Sequence, residues 1–511
     1  MNCNRKSFIM PELNKPVKLE TLSMRVVAKY IQESCTYLES QKSENNHVIT
    51  SSEEILRDKI ERQVENTPGP ILEILLVEVI HKQITEIVSR RTSKGLIEAL
   101  HVLLRPCLKS VDLGRMFSRL PRNITAPCEV LLPMKLMHMS YLSELDLLSR
   151  CTDEILSTLS RCCPFLKKLN ISYSDLVTDA GLRYLCGLSD EQEKETDGTC
   201  CGCKKINSLG LEKLWETTVE GVRAIVEGLP ELQFMRYDQI GEIFFRKLNE
   251  TYPSHSVTKI PKKCEEYRLA YFDQTYNVFT PSDDLIDYIT ECCPHVCMLK
   301  LYAPDSFLPS FKSWKKVENF ALEIDGACGP GLINYFESVG SNLVVINISF
   351  DSLESKHLKA LGKYCPKVKE LTLMGTEMNE NEALKNENYF TELEVFNMSI
   401  WDDEGITGAL LLFFLSSSKG LKKLNLSASV IFLNDNYFNF QILGKYPLSK
   451  LEELCIQGNP RVPLTMKTAR LILRVCPSMR KLSLSRWRVT EKSIRLLQKE
   501  MKLSNYDITI I

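Results

Sequence analysis

The stretch "RCCPFLKKLNI", Arg161–Ile171, decides the fold of this 511-residue chain. A cysteine and a proline precede a short lysine-rich apolar segment. Close copies begin at Glu291 ("ECCPHVCMLKL"), Tyr364 ("YCPKVKELTL") and Val475 ("VCPSMRKLSL"). Each copy ends in the pattern apolar-x-x-apolar-x-apolar. One pattern that returns at separate places along the chain predicts a repeat architecture.

The apolar pattern also recurs without Cys-Pro, which gives about fourteen units in all. The further copies are LKSVDL (Leu108), LSELDL (Leu142), INSLGL (Ile206), LQFMRY (Leu232), CEEYRL (Cys264), VENFAL (Val317), LVVINI (Leu343), LEVFNM (Leu393), LKKLNL (Leu421) and LEELCI (Leu451). From Ile346 to Leu482 the central apolar residues recur every 25 to 30 residues. This period lies in or just above the leucine-rich-repeat range of about 20–29 residues.

The chemistry of one unit agrees with that period. Two apolar residues separated by one position point to the same side of a strand, while the residue between them faces outward. Segments such as "DSLESKHLKALGKYCP" then carry apolar residues at helical spacing and return the chain. We predict an α/β leucine-rich-repeat solenoid, a horseshoe of about fourteen repeats with a short helical N-terminal cap.

The paired cysteines invite a metal or disulfide interpretation, but whole repeats separate them, and a zinc site needs four convergent ligands. We instead expect Cys163, Cys293, Cys365 and Cys476 to be small buried fillers at the end of each return helix. The proline that follows would end that helix and begin the next strand.

One copy resembles a known family. "CCPFLKKLNISYSDLVTDAGLRYL", Cys162–Leu185, is similar to the cysteine-containing leucine-rich repeats of F-box-type substrate receptors and of antagonist-of-mitotic-exit-network proteins. The shared features are Cys-Pro, the LKKLNI strand and "TDAGL" at Thr178–Leu182. The resemblance covers about residues 105–490, in which several copies lack Cys-Pro or Thr-Asp. It implies a non-enzymatic recognition protein, a substrate receptor of an SCF-like or Elongin B/C cullin-RING ubiquitin ligase.

The domain boundaries follow from the repeats. Residues 1–104 form a helical N-terminal cap or adaptor-docking segment, with a loose polar linker near 40–65. The repeat domain spans 105–490, and residues 491–511 form a C-terminal cap. The first predicted helix carries a stripe at Leu19, Leu22, Val26 and Tyr30. The second, after Pro-Gly-Pro, carries one at Leu72, Leu75, Leu76 and Val79.

Two interpretations of these helices remain open. They can simply cover the first edge of the solenoid. Alternatively, the resemblance implies an adaptor-docking box at Leu19, Leu22, Ser23 and Val27, where Ser23 replaces the family's cysteine and Lys18 a small residue. The adaptor would then be Elongin B/C with its cullin. An F-box that begins at "MPEL", Met10–Leu13, would instead bind a Skp-type adaptor.

Bulk composition narrows the partners and the compartment. The 64 basic and 65 acidic residues nearly cancel, so we expect neither nucleic acid nor a membrane as partner. The longest apolar run, Ala409–Leu415, is far shorter than the roughly 18–20 residues of a membrane helix. Nineteen cysteines, an odd number, without a signal peptide favour reduced thiols in the cytoplasm or nucleus.

A search for chemistry finds no catalytic motif, and we predict neither an enzyme nor a cofactor. The strongest metal candidate is Cys200, Cys201 and Cys203, with Cys186 upstream. However, removal of about sixteen residues here restores a normal repeat spacing. We therefore predict an insertion over 189–205 that forms a solvated loop, with metal or redox sensing as the alternative.

The outward strand positions are the candidates for contact with a protein target on the concave face. They are Lys168, Asn170, Ser172, Lys300, Tyr302, Asn347, Thr372, Asn397, Asn425 and Ser483. Polar side chains on rigid strands suit recognition, although a merely solvated edge would have the same composition.

Trp401 and Trp487, five residues past the centre of their units, are expected to be buried packing residues. An intracellular scaffold or regulator without adaptor docking is the alternative function.

Overall fold

The computed structural model describes residues 33, 62, 64, 67–77, 79, 96–188, 202–251, 265–274, 283–379, 389–401, 408–427, 434–446, 448–457, 464–504, 506 and 508–511. The strands within these ranges are β1 (Ser110–Asp112), β2 (Glu144–Asp146), β3 (Lys168–Asn170), β4 (Ser208–Gly210), β5 (Phe234–Arg236), β6 (Tyr271–Gln274), β7 (Met298–Ala303), β8 (Asn319–Ile324), β9 (Val345–Glu354), β10 (Glu370–Asn379), β11 (Val395–Ile400), β12 (Lys423–Ser427), β13 (Glu453–Ile456), β14 (Lys481–Ser483) and β15 (Thr509–Ile510).

Helical segments connect most of the consecutive strands. The α-helices are Leu96–Leu103, Gly114–Arg119, Arg122–Leu136, Asp153–Cys162, Asp179–Leu185, Val219–Gly228, Ile240–Thr251, Asp283–Cys292, Pro330–Val339, Ser355–Tyr364, Gly408–Ser417, Asp435–Tyr437, Met466–Val475 and Glu491–Leu503. Residues 69–77 are also helical. The 3₁₀-helices are Asp305–Ser313 and Gly340–Asn342, and Phe438–Leu443 is a π-helix. No helix of the described ranges is both long and apolar enough to cross a membrane.

The chain divides into two compact units. One contains the described residues of 17–273 together with 291–295, and the other those of 274–290 and 296–511. In the first unit β1 to β5 form a parallel sheet in chain order, and in the second β7 to β15 do so. β6 spans the boundary between the units. Parallel strands in chain order, with helices as returns, define the leucine-rich-repeat fold. The chain has this fold.

Strand register confirms the predicted repeat centres. Leu371 pairs with Ile346 on one side and with Phe396 on the other. Leu424 then pairs with Phe396 and with Leu454. All five side chains are at most 1% exposed. The steps of 25 to 30 residues therefore bring one apolar column into line through the core of the second unit.

The strand near residue 270 lies later than the sequence pattern predicts. CEEYRL centres on Tyr267, but β6 centres on Phe272. The N–H groups of Ala270 and Tyr271 donate to the carbonyl oxygen of Gln233 at 2.8 and 3.2 Å, which is the linkage that joins other neighbouring repeats. Tyr267 is itself only 8% exposed. A buried aromatic residue that precedes the strand thus imitates the repeat pattern.

The repeat cysteines are packing residues, as predicted. Cys163, Cys365 and Cys476 each end a return helix, and they and Cys293 are fully buried. Burial raises the pKa of the Cys163 and Cys476 thiols to about 12. These thiols therefore stay protonated and act as small apolar side chains.

Cys203 occupies the same place without a following proline. Ile206 N–H donates to its carbonyl oxygen at 3.1 Å, as Leu166 N–H does to that of Cys163 at 3.2 Å. The Cys203 side chain is also fully buried. Cys203 therefore belongs to the repeat rather than to the predicted insertion. INSLGL was recognised as a repeat copy in the sequence, but the missing proline hid the place of Cys203 at its start.

The "TDAGL" motif forms a ladder between repeats. The Asp153 carboxylate accepts from Thr178 N–H at 2.9 Å and from its hydroxyl at 2.7 Å. One repeat further, Asp179 accepts from Thr218 N–H at 2.8 Å and from its hydroxyl at 2.7 Å. A Cβ atom on Gly181 would lie 2.1 Å from Asp153 Oδ1. Glycine is therefore needed because the aspartate of the preceding repeat fills that space.

The helix at residues 69–77 covers the first edge of the β1–β5 sheet. Its predicted apolar stripe is buried at 0 to 3% exposure, at Leu72, Leu75, Leu76 and, just beyond, Val79. Glu73 Oε1 accepts from the N–H groups of Lys109 and Ser110 at 2.9 and 3.0 Å. These are the N–H groups that would bind a preceding repeat, so Glu73 supplies the oxygen that the edge lacks.

The predicted C-terminal cap continues the repeat pattern. Helix Glu491–Leu503 returns the chain to β15, where Ile510 pairs with Leu482 of β14. Gln498 Nε2 donates to the Ile510 carbonyl oxygen at 2.9 Å and ties the helix to this last strand.

Candidate recognition surface

The outward side chains next to the buried centres of β7 to β14 form one line, which we call the central row. In register order its members are Lys300, Ala321, Asn347, Thr372, Asn397, Asn425, Cys455 and Ser483. Six of the predicted contact residues fall in this row, namely Lys300, Asn347, Thr372, Asn397, Asn425 and Ser483. Neighbouring strands lie about 4.8 Å apart, so the fold brings these six residues onto one sheet face.

Hydrogen bonds link the middle of the central row. Asn397 Nδ2 donates to Thr372 Oγ1 at 3.1 Å, and Asn425 Nδ2 donates to Asn397 Oδ1 at 2.7 Å. All three side chains remain partly exposed, as do Lys300 and Asn347. Such bonds hold the amides in fixed rotamers, which lowers the entropic cost of contact with a partner.

Ser483 does not share this exposure. Its residue is only 8% exposed, so it contributes little to a contact surface. β14 is three residues long, and the chain turns into the buried Leu484 directly after it. The prediction that Ser483 faces a partner is therefore corrected.

Two positions further along each strand, the side chains of β7 to β12 form a second line, the C-terminal row. Its members are Tyr302, Glu323, Ser349, Met374, Ser399 and Ser427. The predicted residue Tyr302 is partly exposed, and its hydroxyl is hydrogen-bonded to Asp325. The negative charge of Asp325, followed by smaller contributions from burial, Glu323 and Asp351, raises the pKa of this phenol above its ordinary value.

The β1–β5 sheet carries the three remaining predicted residues. Lys168 is exposed, and its Nζ lies 2.7 Å from Glu144 Oε1. Asn170 is partly exposed, and its Nδ2 donates to Asp146 Oδ2 at 3.0 Å. Burial raises the pKa of Asp146, and the nearby Asp112 adds to that shift. The outward positions of β1 to β3 therefore form a polar row of their own.

Ser172 is buried, at 1% exposure, so its predicted place on the contact surface is wrong. Its N–H donates to Asn170 Oδ1 at 3.2 Å, and its Oγ accepts from Glu212 N–H at 3.2 Å. A Cβ atom on Gly210 would lie 2.3 Å from Asn170 Oδ1 and 2.9 Å from Ser172 Oγ. Ser172 therefore folds over the glycine of the next strand and ties two repeats together.

The adaptor-docking candidates Leu19, Leu22, Ser23 and Val27 lie outside the described residues, and so do Cys200 and Cys201. Cys186 and Cys203 are both buried in the repeat. Within the described ranges, no group of three or more His, Cys, Asp or Glu side chains is arranged to hold a metal ion.

The two tryptophans differ from each other. Trp487 is 6% exposed, and its Nε1 donates to the Ile456 carbonyl oxygen at 2.7 Å, as expected of a packing residue. Trp401 is 66% exposed, so the same expectation is wrong there. Its backbone N–H donates to Gly375 oxygen at 3.0 Å, which places it at the carboxyl end of β11. Sequence spacing gives both residues one repeat position and hides this difference.

No protein-family model and no curated protein matches this chain. Among solved structures, it is similar to a chain of the yeast Rad7–Elc1 complex, at 12% identity and a TM-score of 0.39 over 85% of this chain and 97% of that one. It is also similar to a chain of the TLR13–ssRNA13 complex, at 14% identity and 0.35 over 81% and 63%. A chain of the mouse RP105/MD-1 complex matches at 10% identity and 0.37 over 79% and 71%. These values are too low to transfer any property, so the fold assignment rests on the strands and their register.

Proposed function

We propose that this protein is a non-enzymatic recognition module that binds a protein target on the outward face of its strands. In this proposal it acts in the cytoplasm or nucleus as substrate receptor of a cullin-RING ubiquitin ligase. The fourteen cysteines that the structure describes carry thiols rather than disulfides, which agrees with a reducing compartment. The ligase assignment rests on the resemblance of Cys162–Leu185 to F-box-type and antagonist-of-mitotic-exit-network repeats.

The observation that carries the recognition role is the central row. Five partly exposed polar or charged side chains stand in register over the six neighbouring strands β7 to β12, and hydrogen bonds link three of them in the middle of the row. Parallel strands buried on their other face are rigid supports for such a surface. A long row of fixed polar groups suits a partner that extends over several repeats.

The alternative is a scaffold or regulator with the same binding face but no adaptor. One observation favours it: the helix at 69–77 already has a structural task, because Glu73 and the leucine stripe close the edge of the β1–β5 sheet. The departures at Lys18 and Ser23 from the docking pattern point the same way.

The test is co-expression of the full chain with Elongin B/C and, separately, with a Skp-type adaptor, followed by size-exclusion chromatography. The ligase proposal expects stable co-elution with one of them. Leu19→Asp with Val27→Asp should abolish binding to Elongin B/C, because a charge at an apolar docking position is costly to bury. Lys168→Gln, on the strand face, is the control and should leave co-elution unchanged. Failure of both adaptors to co-elute would leave the scaffold alternative.

A further inference from the structure

The carboxyl ends of β7 to β11 carry an unusual group of side chains, which we call the acidic-aromatic patch. Its members are Tyr302, Glu323, Asp325, Asp351, Met374 and Trp401. Tyr302, Glu323 and Met374 belong to the C-terminal row. Asp325, Asp351 and Trp401 lie one outward position further along their strands. All six belong to one compact unit and to one sheet face.

The three carboxylates of the patch have no cationic partner among the residues that the structure describes. Glu323, Asp325 and Asp351 are exposed, and no described lysine or arginine forms an ion pair with them. Two partly exposed carboxylates of the same unit do have such a partner: Glu453 lies 2.7 Å from Lys423, and Glu394 lies 2.6 Å from Lys422. Lys300 is the nearby cation of the central row. The patch therefore keeps a net negative charge.

The apolar side chains of the patch are exposed to solvent as well. Trp401 is 66% exposed and Met374 is 38% exposed, on the neighbouring strands β11 and β10. The backbone of Trp401 is fixed by its bond to Gly375, and the preceding Ile400 is buried at 3% exposure. A large aromatic side chain on a rigid strand is a typical anchor for a partner. Its ring face also attracts cations, most strongly arginine.

We propose that the acidic-aromatic patch binds an extended segment of the protein target that carries two arginine or lysine side chains. One cation stacks on Trp401, and the other pairs with Asp351 and Asp325. Asp351 lies two strands from Trp401, about 10 Å away at the usual strand spacing, and an extended chain advances about 3.3 Å per residue. The two cations are therefore about three residues apart. This inference rests on the proposed recognition function, to which it adds the chemistry of the target.

The probe is a fluorescein-labelled Gly-Ser octapeptide with arginine at its third and sixth positions, titrated with the full chain by fluorescence anisotropy. A peptide with glutamate at both positions and one with glutamine are the comparison probes. We expect saturable binding of the arginine peptide alone. Its affinity should fall as salt rises, since the Debye length shortens from about 10 Å at 0.1 M to about 3 Å at 1 M.

Substitutions locate the site. Trp401→Ala should weaken binding about tenfold, because a stacked aromatic anchor is lost. Asp325→Asn with Asp351→Asn should weaken it about tenfold as well, as two exposed ion pairs are removed. Glu392→Gln removes an exposed charge in the turn before β11, and Phe440→Ala removes an aromatic side chain that is 70% exposed. Both controls should leave the affinity within twofold.

Three results would overturn the inference: no binding of the arginine peptide, equal binding of the glutamate peptide, or binding that the patch substitutions leave unchanged. Thermal unfolding of each variant shows whether a loss of binding reflects a loss of folding. The adaptor test above is independent of this one. Peptide binding without adaptor co-elution would contradict the ligase proposal and support the proposed role of the patch. Adaptor co-elution without peptide binding would contradict the role of the patch and support the ligase proposal.

Discussion

At the scale of single residues, Glu73 shows how the open edge of a repeat sheet is covered. Inside the β1–β5 sheet, each pair of strand-entry N–H groups donates to a carbonyl oxygen of the preceding repeat, as Ser143 and Glu144 do to Lys109. No described strand precedes β1 in its sheet, and Glu73 Oε1 takes the place of that carbonyl oxygen. An open strand edge is otherwise a site for pairing with another chain.

Glu73→Ala should lower the free energy of unfolding by about 1–3 kcal/mol, because two backbone donors lose their acceptor. Glu73→Gln keeps a side-chain oxygen at the same reach and should restore most of that loss. Urea denaturation followed by circular dichroism measures both. Equal losses in the two variants would show that the charge, rather than the acceptor geometry, stabilises this edge.

His357 links the stability of the second unit to pH. It is 1% exposed, its Nδ1 accepts from Glu354 N–H at 3.2 Å, and its Nε2 donates to the Gly329 carbonyl oxygen at 3.1 Å. This arrangement requires a neutral ring. Burial lowers the pKa of His357 below its ordinary value of 6.5, an effect to which Lys356 adds and which Glu354 opposes.

The unfolded chain therefore takes up this proton at a higher pH than the folded chain does. The contribution of His357 to stability should be complete above pH 6.5 and decrease as the pH falls below it. His357→Gln can accept and donate at the same two places without titrating. Denaturation at a series of pH values should show a smaller decrease below pH 6.5 for this variant. Parallel pH curves for the variant and the wild type would contradict the assignment.

At the scale of elements, the Thr-Asp ladder couples the start of one return helix to the start of the next. Asp179 both opens its own helix and accepts two hydrogen bonds from Thr218. Asp435 does the same for Thr465, 30 residues later. These hydrogen bonds therefore align neighbouring repeats outside the sheet as well.

A double-mutant cycle tests the ladder. Asp179→Ala and Thr218→Ala should each lower the free energy of unfolding. The double variant should lose less than the sum of the two single losses, with a coupling energy of about 0.5–3 kcal/mol. The pair Asp153→Ala and Thr218→Ala, which are not bonded to each other, is the matched control and should be nearly additive. Additive losses in the free energy of unfolding for Asp179 and Thr218 would mean that the hydrogen bonds between them do not stabilise the chain.

The elements that sequence predicted well are those with a strict local period. The column from Ile346 to Leu454 was predictable because alternation within a strand and the repeat length agree. β6 was misplaced because the buried Tyr267 imitates the pattern, and Cys203 was missed because no proline follows it. Side-chain exposure was harder, since Trp401 and Trp487 share a repeat position and only tertiary packing separates them.

At the scale of the whole molecule, the sequence predicted which residues of the candidate site lie in one row, but not which of them are exposed. Period alone selected Asn347, Thr372, Asn397 and Asn425, which the fold places on adjacent strands. Ser172 and Ser483 met the same rule and are buried, because both lie where a short strand turns into the next segment. Asp325 and Asp351 lie beyond the repeat motif, and the motif gives Trp401 a position that is usually buried, so the motif did not indicate these three residues as part of a surface.

The central claim is that a protein partner binds the outward strand face. Site-specific photocrosslinking in cells tests it most directly, with a benzoylphenylalanine residue placed at Thr372 or Asn397 and, as control, at the exposed Asn334 on helix Pro330–Val339. We predict one discrete crosslinked adduct from both strand positions and none from Asn334. An adduct from Asn334 with none from Thr372 or Asn397 would contradict recognition through the strand face.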